Sequence, residues 1–188
     1  MDANLSKQPF KHGENGPSAV AISSVKKLAL IRQSLDGLPV KPPWIYLDAH
    51  GVAQDELINL QILVTPIGTL YLVVIKRLGT AALSATTDSS ASLRSIFESK
   101  SIPKVGFDIR AVSKLLVRDF NVTLDSMYDL QLMELASRDY QHSKKRLTRF
   151  VKCVDQNVPN PTLRKVADSN RMILPTCIYS IPLAMFLL

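Results

Sequence analysis

Apolar residues along the chain recur at two different spacings, which predict alternating helices and strands. After Ser24, a predicted helix cap, the segment VKKLALIRQSL repeats apolar side chains every three or four residues, as amphipathic helices do. Three runs are instead rich in β-branched and aromatic residues: WIYLD, INLQILVT and TLYLVVIK. A Pro-Ile-Gly turn separates the last two, so this part of the chain is predicted to form three antiparallel strands.

In the second half of the chain, helical spacing alternates with short apolar runs. Helical spacing occurs in SLRSIFES, AVSKLLVRDF and LQLMELASRD, and Asp129 is the predicted N-cap of the last of these. Strand-like runs occur in KVGFD and VTLDSMYD. The order predicts an α/β fold with a mixed sheet flanked by helices, in which three antiparallel strands are followed by parallel strands.

The two ends of the chain depart from this pattern. Residues 1–22 are polar and contain Pro and Gly without apolar periodicity, so we expect a disordered tail there, followed by one domain over residues 23–160. Residues 161–188 end in MILPTCIYSIPLAMFLL, which is short and proline-interrupted, so no clear membrane span is predicted. Two alternatives remain for this apolar tail. It is either a strand or helix of the core, or the product of an altered reading frame or a retained intron.

Composition and charge narrow the classes of function. The 188 residues include 23 Lys and Arg against 16 Asp and Glu, a net charge of +7 that favours polyanionic partners. Cys153 and Cys177 form no CxxC pair and are too few for a disulfide framework, and Cys153 is predicted to fill the core. The polar N-terminus has no apolar signal segment, so cytoplasm or nucleus is the default expectation.

Two basic clusters are candidate contacts for a phosphate backbone. The segment HSKKRLTRFVKC is predicted to be a basic helix, and no acid occurs between Tyr140 and Val154; its candidate residues are Lys144, Lys145, Arg146 and Arg149, with Lys152 beside them. Arg110, Lys114 and Arg118 lie at four-residue spacing, which predicts that they share one helical face near the expected cleft. A solvated surface balanced by acids is the alternative for both clusters, and the acid-free stretch favours binding for the first.

Several of these segments, taken together and in order, resemble a known enzyme family. YLDAHG, the two hairpin strands, IPKVGFDIRAVSKLL and FNVTLDSMYDLQLMELASR resemble the DEDD 3′-5′ exonucleases of the ribonuclease D type, most closely their fungal exonuclease-domain relatives. The resemblance covers residues 24–155 and implies a ribonuclease H-like sheet whose C-terminal part is incomplete here. It also implies removal of nucleotides from a 3′ end, with Mg²⁺ or Mn²⁺ as cofactor.

The family's site holds two divalent ions with four acids, and this sequence matches one of them clearly. The resemblance places Asp48 at the first acid, His50 where the family has Glu, and Val112 where it has the Asp of the second motif. An imidazole offers nitrogen rather than charged oxygen, and valine offers no ligand. The third motif, Tyr-x-x-x-Asp, has no counterpart. Asp48 is therefore the one clear candidate metal ligand, and two-metal catalysis is predicted to be impaired. For His50 the alternatives are a single zinc or manganese ion held with Asp48 and, more commonly for such a histidine, a polar residue at a turn.

One hypothesis and two alternatives follow from the sequence. The hypothesis is a nucleic-acid-binding domain of the 3′-5′ exonuclease family whose catalysis is impaired. The first alternative is a pseudonuclease that acts as an interaction module for a protein or an RNA. The second is a truncated product without stable function of its own. RNA and DNA are not distinguished by any base-reading motif, and the oligomeric state is not predicted.

Overall fold

The computed structural model describes residues 18–35, 45–50, 56–64, 68–86, 91–139 and 143–157. Six strands occur in these ranges: β1 (Ser18–Ile22), β2 (Ile45–His50), β3 (Asn59–Val64), β4 (Thr69–Val73), β5 (Lys104–Gly106) and β6 (Met127–Asp129). The helices are α1 (Leu28–Leu35), α2 (Ile75–Leu78), α3 (Ala81–Ser84), α4 (Leu93–Phe97), α5 (Arg110–Phe120), α6 (Leu130–Ser137) and α7 (Phe150–Asn157). A 3₁₀ turn, Val25–Lys27, precedes α1.

All six strands belong to one mixed sheet with the order β1-β4-β3-β2-β5-β6. β2, β3 and β4 pair antiparallel, as the alternating apolar runs predict. β5 pairs parallel with β2, β6 pairs parallel with β5, and β1 pairs parallel with β4. The prediction of three antiparallel strands followed by parallel strands is confirmed. Because β2, β5 and β6 run in the same direction, their carboxyl ends meet at one edge of the sheet.

Both faces of the sheet carry buried apolar side chains, because successive residues of a strand point to opposite faces. The larger core lies on the face of Leu47 and includes Ile45, Leu60, Ile62, Val64, Tyr71 and Val73 with helix residues such as Ile31, Phe97, Val112, Leu115 and Leu116. The alternate strand residues Tyr46, Leu63 and Val105 are also buried. Cys153 is fully buried on α7, which confirms its prediction as a core residue.

Two features near the N-terminus differ from the sequence predictions. Residues 18–22 fall within the tail expected to be disordered over 1–22, yet they form β1 and pair with β4 from Ser18↔Thr69 to Ile22↔Val73. The short apolar run SAVAI gains backbone partners from the edge of the hairpin, which local composition does not reveal. Ser24 precedes the first turn as predicted, but its side chain makes no capping hydrogen bond.

Several element boundaries also differ, for local backbone reasons. KVGFD ends as a strand at Gly106 because Asp108 adopts a left-handed conformation with φ 51°. In VTLDSMYD only Met127–Asp129 is strand, since Ser126 has φ 48°. TLYLVVIK ends at Val73, where the chain turns into α2.

The predicted basic helix over residues 142–153 is wrong for most of its length. Residues 143–149 are not helical, and α7 begins only at Phe150. Their backbone carbonyls accept hydrogen bonds from side chains of the preceding segment, which replace the bonds of a helix.

The C-terminal predictions lie outside the described residues. These are the apolar tail over residues 161–188 and the missing third motif. No helix within the described ranges is long and apolar enough to span a membrane.

Candidate nucleic-acid interface and the predicted metal site

Asp48 lies near the carboxyl end of β2, on the sheet face opposite the larger core. Its neighbours Leu47 and Ala49 both contact that core, so the half-buried side chain between them points the other way. Directly opposite Asp48 in β3 is Gln61, whose side chain is only 2% exposed. The Oε1 atom of Gln61 is buried and has no hydrogen-bond partner among the described residues.

Val112, which the resemblance aligns with a metal-binding Asp, lies elsewhere. It is on the first turns of α5, is 5% exposed and belongs to the larger core with Leu47. Asp48 and Val112 are therefore on opposite faces of the sheet, and the structure does not bring them together. His50 ends β2 with its backbone opposite Asn59, and its side chain lies outside the described part of the structure.

Two further acids lie at the same edge of the sheet, but each already has partners. Asp129 is buried, and its carboxylate accepts hydrogen bonds from the backbone N–H groups of Asp108, Ile109 and Gln131 at 3.1, 3.2 and 2.9 Å. This confirms Asp129 as the N-cap of α6. Asp108 is exposed and forms an ion pair with Arg110 at 2.6 Å.

These acids do not fit the pair of divalent ions that the family resemblance implies. Within the described ranges, no group of three or more His, Cys, Asp and Glu side chains is placed to hold a metal ion. Two Mg²⁺ or Mn²⁺ ions need several charged oxygens to offset their combined charge. Asp48 alone cannot supply these charged oxygens.

A cleft of about 670 Å³, here called the basic cleft, is bounded by α6, α7 and the segment between them. Four cations and two acids line it with five other residues, in the set Glu134, Ser137, Arg138, Asp139, Ser143, Arg146, Leu147, Thr148, Arg149, Lys152 and Gln156. Cations outnumber acids, so the cleft attracts anions. It brings together Arg146 and Arg149 from the predicted binding residues.

Arg138 holds the segment 143–149 against α6. Its guanidinium donates to the carbonyls of Ser143 and Arg146 at 2.5 and 2.9 Å and to the Oγ1 atom of Thr148. The same group binds both carboxylate oxygens of Glu134 at 2.8 and 2.7 Å. The hydrogen bonds from Arg138, with others from Thr148 and despite burial, hold the pKa of Glu134 below its usual value.

Gln131 adds a second connection between α6 and this segment. Its amide Nε2 donates to the carbonyl of Thr148 at 2.8 Å, and its Oε1 accepts from Arg110 at 3.3 Å. The guanidinium of Arg110 is thus shared between Gln131 and Asp108 rather than free for a ligand. Lys114, one turn further along α5, is exposed and does not line the basic cleft.

The remaining predicted cations differ in how far they are neutralised. Among the described residues, Lys145, Arg146 and Arg149 are exposed and their side chains form no ion pair within 4.0 Å. Lys144 is exposed and donates to the carbonyl of Ala136 at 3.2 Å. Arg146 and Arg149 are consequently the strongest candidates for contact with a phosphate.

Sequence reasoning missed the residues that build the cleft. Glu134 and Arg138 stand at i and i+4 of a predicted helix, a spacing that indicates an ion pair, so this pair had a signal in the sequence. Gln131 and Thr148 had none, because their contact joins residues 17 positions apart through a non-helical segment.

The fold is shared with solved 3′-5′ exonuclease structures. Trypanosoma brucei RNase D matches with a TM-score of 0.62 and 13% identity over 91% of this chain and 64% of that one. Its complex with RNA U12 matches with a TM-score of 0.61 and 14% identity, covering 86% of this chain and 53% of that one. The EXD2 exonuclease domain soaked in Mg and dGMP matches with a TM-score of 0.53 and 21% identity, covering 90% and 88%.

These matches confirm the α/β, ribonuclease H-like exonuclease fold that the sequence predicts. The chain spans between half and two thirds of the RNase D chains it matches. No protein-family model and no curated protein sequence matches it. At these identities the similarity concerns the fold alone.

Proposed function

We propose that this chain is a nucleic-acid-binding domain built on a 3′-5′ exonuclease fold, with impaired two-metal hydrolysis. The observation that carries the binding is the basic cleft, where Arg146 and Arg149 are exposed without an ion pair among the described residues. Guanidinium groups bind phosphate oxygens through two parallel hydrogen bonds, and each phosphate contact releases condensed counterions. The net charge of +7 adds a long-range attraction.

The neighbouring structures are consistent with this class of ligand. One of them is a complex of RNase D with RNA U12, and another is an exonuclease domain soaked in Mg and dGMP. We infer from the shared fold that a nucleic-acid strand is the ligand class here as well. The cations of the basic cleft supply the attraction.

We infer the impaired catalysis from the small number of side chains near Asp48 that are able to bind a metal ion. Val112 is buried in the core on the other face of the sheet, and Asp108 and Asp129 are engaged by Arg110 and by backbone N–H groups. Removing a charged ligand from a two-metal site leaves transition-state charge without stabilisation, which lowers rates by orders of magnitude. Binding without efficient 3′-end removal is the resulting function.

Fluorescence anisotropy with a short labelled oligonucleotide tests the binding, measured as RNA and as DNA over a range of salt concentrations. We expect the double variant Arg146→Ser, Arg149→Ser to weaken binding about tenfold or more and to reduce the salt slope by roughly 1.4, which corresponds to two lost phosphate contacts on a single strand. Cooperative thermal unfolding of both proteins shows that they fold, and it would contradict the alternative of a truncated product.

The matched control removes the same charge from a different surface. Lys76 and Arg77 are exposed on α2 and do not line the basic cleft. Lys76→Ser, Arg77→Ser should leave affinity within about threefold of the wild type, since it changes only the long-range attraction. Equal losses in the two double variants, or no measurable binding by the wild type, would overturn the proposed site.

A further inference from the structure

The ion pair between Glu134 and Arg138 is withdrawn from solvent, unlike the other ion pairs of the described residues. The two side chains are 9% and 14% exposed, whereas those of the Arg94–Glu98 pair are both 36% exposed. Surface pairs contribute little free energy, whereas removal of one partner from a buried pair leaves the other charge uncompensated. Among the ion pairs of the described residues, loss of the Glu134–Arg138 pair is therefore expected to disturb the neighbouring structure most.

The hydrogen bonds of Arg138 are divided between one helix and one loop. Two go to the Glu134 carboxylate on α6, and the other three go to acceptors of Ser143, Arg146 and Thr148. A planar guanidinium presents its donors in a fixed geometry, so anchoring one edge on Glu134 determines where the others point. The backbone of residues 143–149 is thereby fixed relative to α6.

The segment needs such anchoring because it carries a high density of like charge. Lys144, Lys145, Arg146 and Arg149 fall within seven residues that form no helix and hold no acid. Like charges so close together repel, and an unanchored segment of this kind would spread its side chains apart. Convergence of Arg146 and Arg149 on one cleft requires contacts that offset this repulsion.

We propose that Glu134 and Arg138 are positioning residues of the basic cleft, whose ion pair holds residues 143–149 so that Arg146 and Arg149 contact the same phosphate backbone. This inference rests on the proposed nucleic-acid binding. It makes the affinity for the nucleic acid depend on the carboxylate of Glu134. Glu134 carries the charge that repels phosphate, yet its loss weakens binding because the cleft loses its shape.

The substitution Glu134→Gln separates positioning from simple electrostatics. It raises the net charge by one, so attraction alone predicts tighter binding, at most a few-fold, whereas loss of positioning predicts binding about three- to tenfold weaker. Arg138→Lys keeps the charge but removes the forked donor geometry, and we expect a similar loss. Oligonucleotide anisotropy at one fixed salt concentration measures both effects.

Glu98→Gln is the matched control, because it removes the same charge from an exposed i,i+4 pair between Arg94 on α4 and the residue that caps the C-terminal end of this helix. Its affinity should equal or slightly exceed that of the wild type. Binding by Glu134→Gln as tight as that of Glu98→Gln would overturn the positioning role. Weaker binding by Glu134→Gln, with unchanged binding by Glu98→Gln, supports it.

Limited trypsin digestion tests the pair independently of any ligand. Trypsin cleaves after Lys and Arg where the chain can leave the fold locally, and the segment 143–149 offers four such sites. In Glu134→Gln, cleavage within this segment should be faster than in the wild type, whereas cleavage after Lys76 and Arg77 on α2 should keep its rate. Equal cleavage rates in the segment would contradict the inference even if the wild type bound no oligonucleotide. Failure of the proposed function and failure of the positioning role are thus distinguished.

Discussion

Asp48 and Val112 lie on opposite faces of the central sheet, although the family resemblance aligns both with metal ligands. Asp48 points away from the larger core, because Leu47 and Ala49 on either side of it contact that core. Val112 is part of the core itself. An acid at position 112 in this backbone would face apolar side chains rather than a metal ion shared with Asp48.

Substituting Val112→Asp should therefore destabilise the protein rather than restore a metal site. Burial of a carboxylate without a partner lowers the free energy of unfolding by about 3 kcal/mol or more, measured by urea denaturation. Val117→Asp is the control on the same helix, at a side chain 47% exposed, and should change stability by about 1 kcal/mol at most. A folded Val112→Asp variant that Mg²⁺ stabilises would show that position 112 faces a metal site after all.

Gln61 offers a second test of the sheet face that carries Asp48. Its Oε1 atom is buried without a partner among the described residues, so its desolvation is not offset by a hydrogen bond. Gln61→Met keeps the shape and removes this acceptor, and should raise the free energy of unfolding by about 1 kcal/mol. Gln33→Met, at an exposed position of α1, should have little effect. A clear loss of stability in Gln61→Met would mean that the amide is hydrogen-bonded in the folded protein.

The lowered pKa of Glu134 predicts an acid-dependent contribution to stability. A carboxyl group whose pKa is lower in the folded protein than its ordinary value of 4.5 stabilises the fold fully above that value. The stabilisation is lost as the pH falls below about 4.5 and through the lowered pKa. Glu134→Gln should be less stable than the wild type at neutral pH, by roughly 1–3 kcal/mol, and the difference should shrink in acid. A difference independent of pH would contradict the ion pair as its cause.

Lys104 predicts a second pH dependence with the same sign, in the alkaline range. It is fully buried on β5, where its Nζ donates to the carbonyls of Ile96 and Ser99 at 3.0 and 2.9 Å. Burial lowers the pKa of Lys104 from 10.5 to about 8, with Asp125 opposing the shift.

A lowered lysine pKa means that the unfolded chain holds this proton more tightly, so stability should rise between pH 8 and 10.5. Relative to Lys104→Met, the wild type should gain up to about 3 kcal/mol over that range, measured by urea denaturation at several pH values. Parallel pH profiles of the two proteins would refute the shift.

The strands of the sheet were predictable where the sequence pattern is local. The runs INLQILVT and TLYLVVIK contain enough β-branched and aromatic residues to indicate strands, and the turn between them indicates a hairpin. β1 was not predictable, because five residues without strong periodicity become a strand only through parallel pairing with β4. Sequence spacing does not report such distant partners.

The candidate site was predictable in its charges but not in its geometry. The acid-free basic stretch indicates Arg146 and Arg149, while a helical pattern suggested the wrong backbone for them. Hydrogen bonds from Arg138 and Gln131 determine that backbone, and they join residues far apart in the sequence. The family resemblance identifies Val112 as the residue at the position of a metal-binding Asp. It does not report the face of the sheet on which Val112 lies, because this depends on how α5 packs.

The most direct test of the proposed function follows binding and strand length in one sample. A 5′-labelled oligonucleotide is incubated with the wild type and with Asp48→Asn in Mg²⁺ and in Mn²⁺, and bound fraction and product length are measured together. We expect both proteins to bind the strand and to leave it at full length. Progressive shortening from the 3′ end by the wild type, abolished in Asp48→Asn, would contradict it.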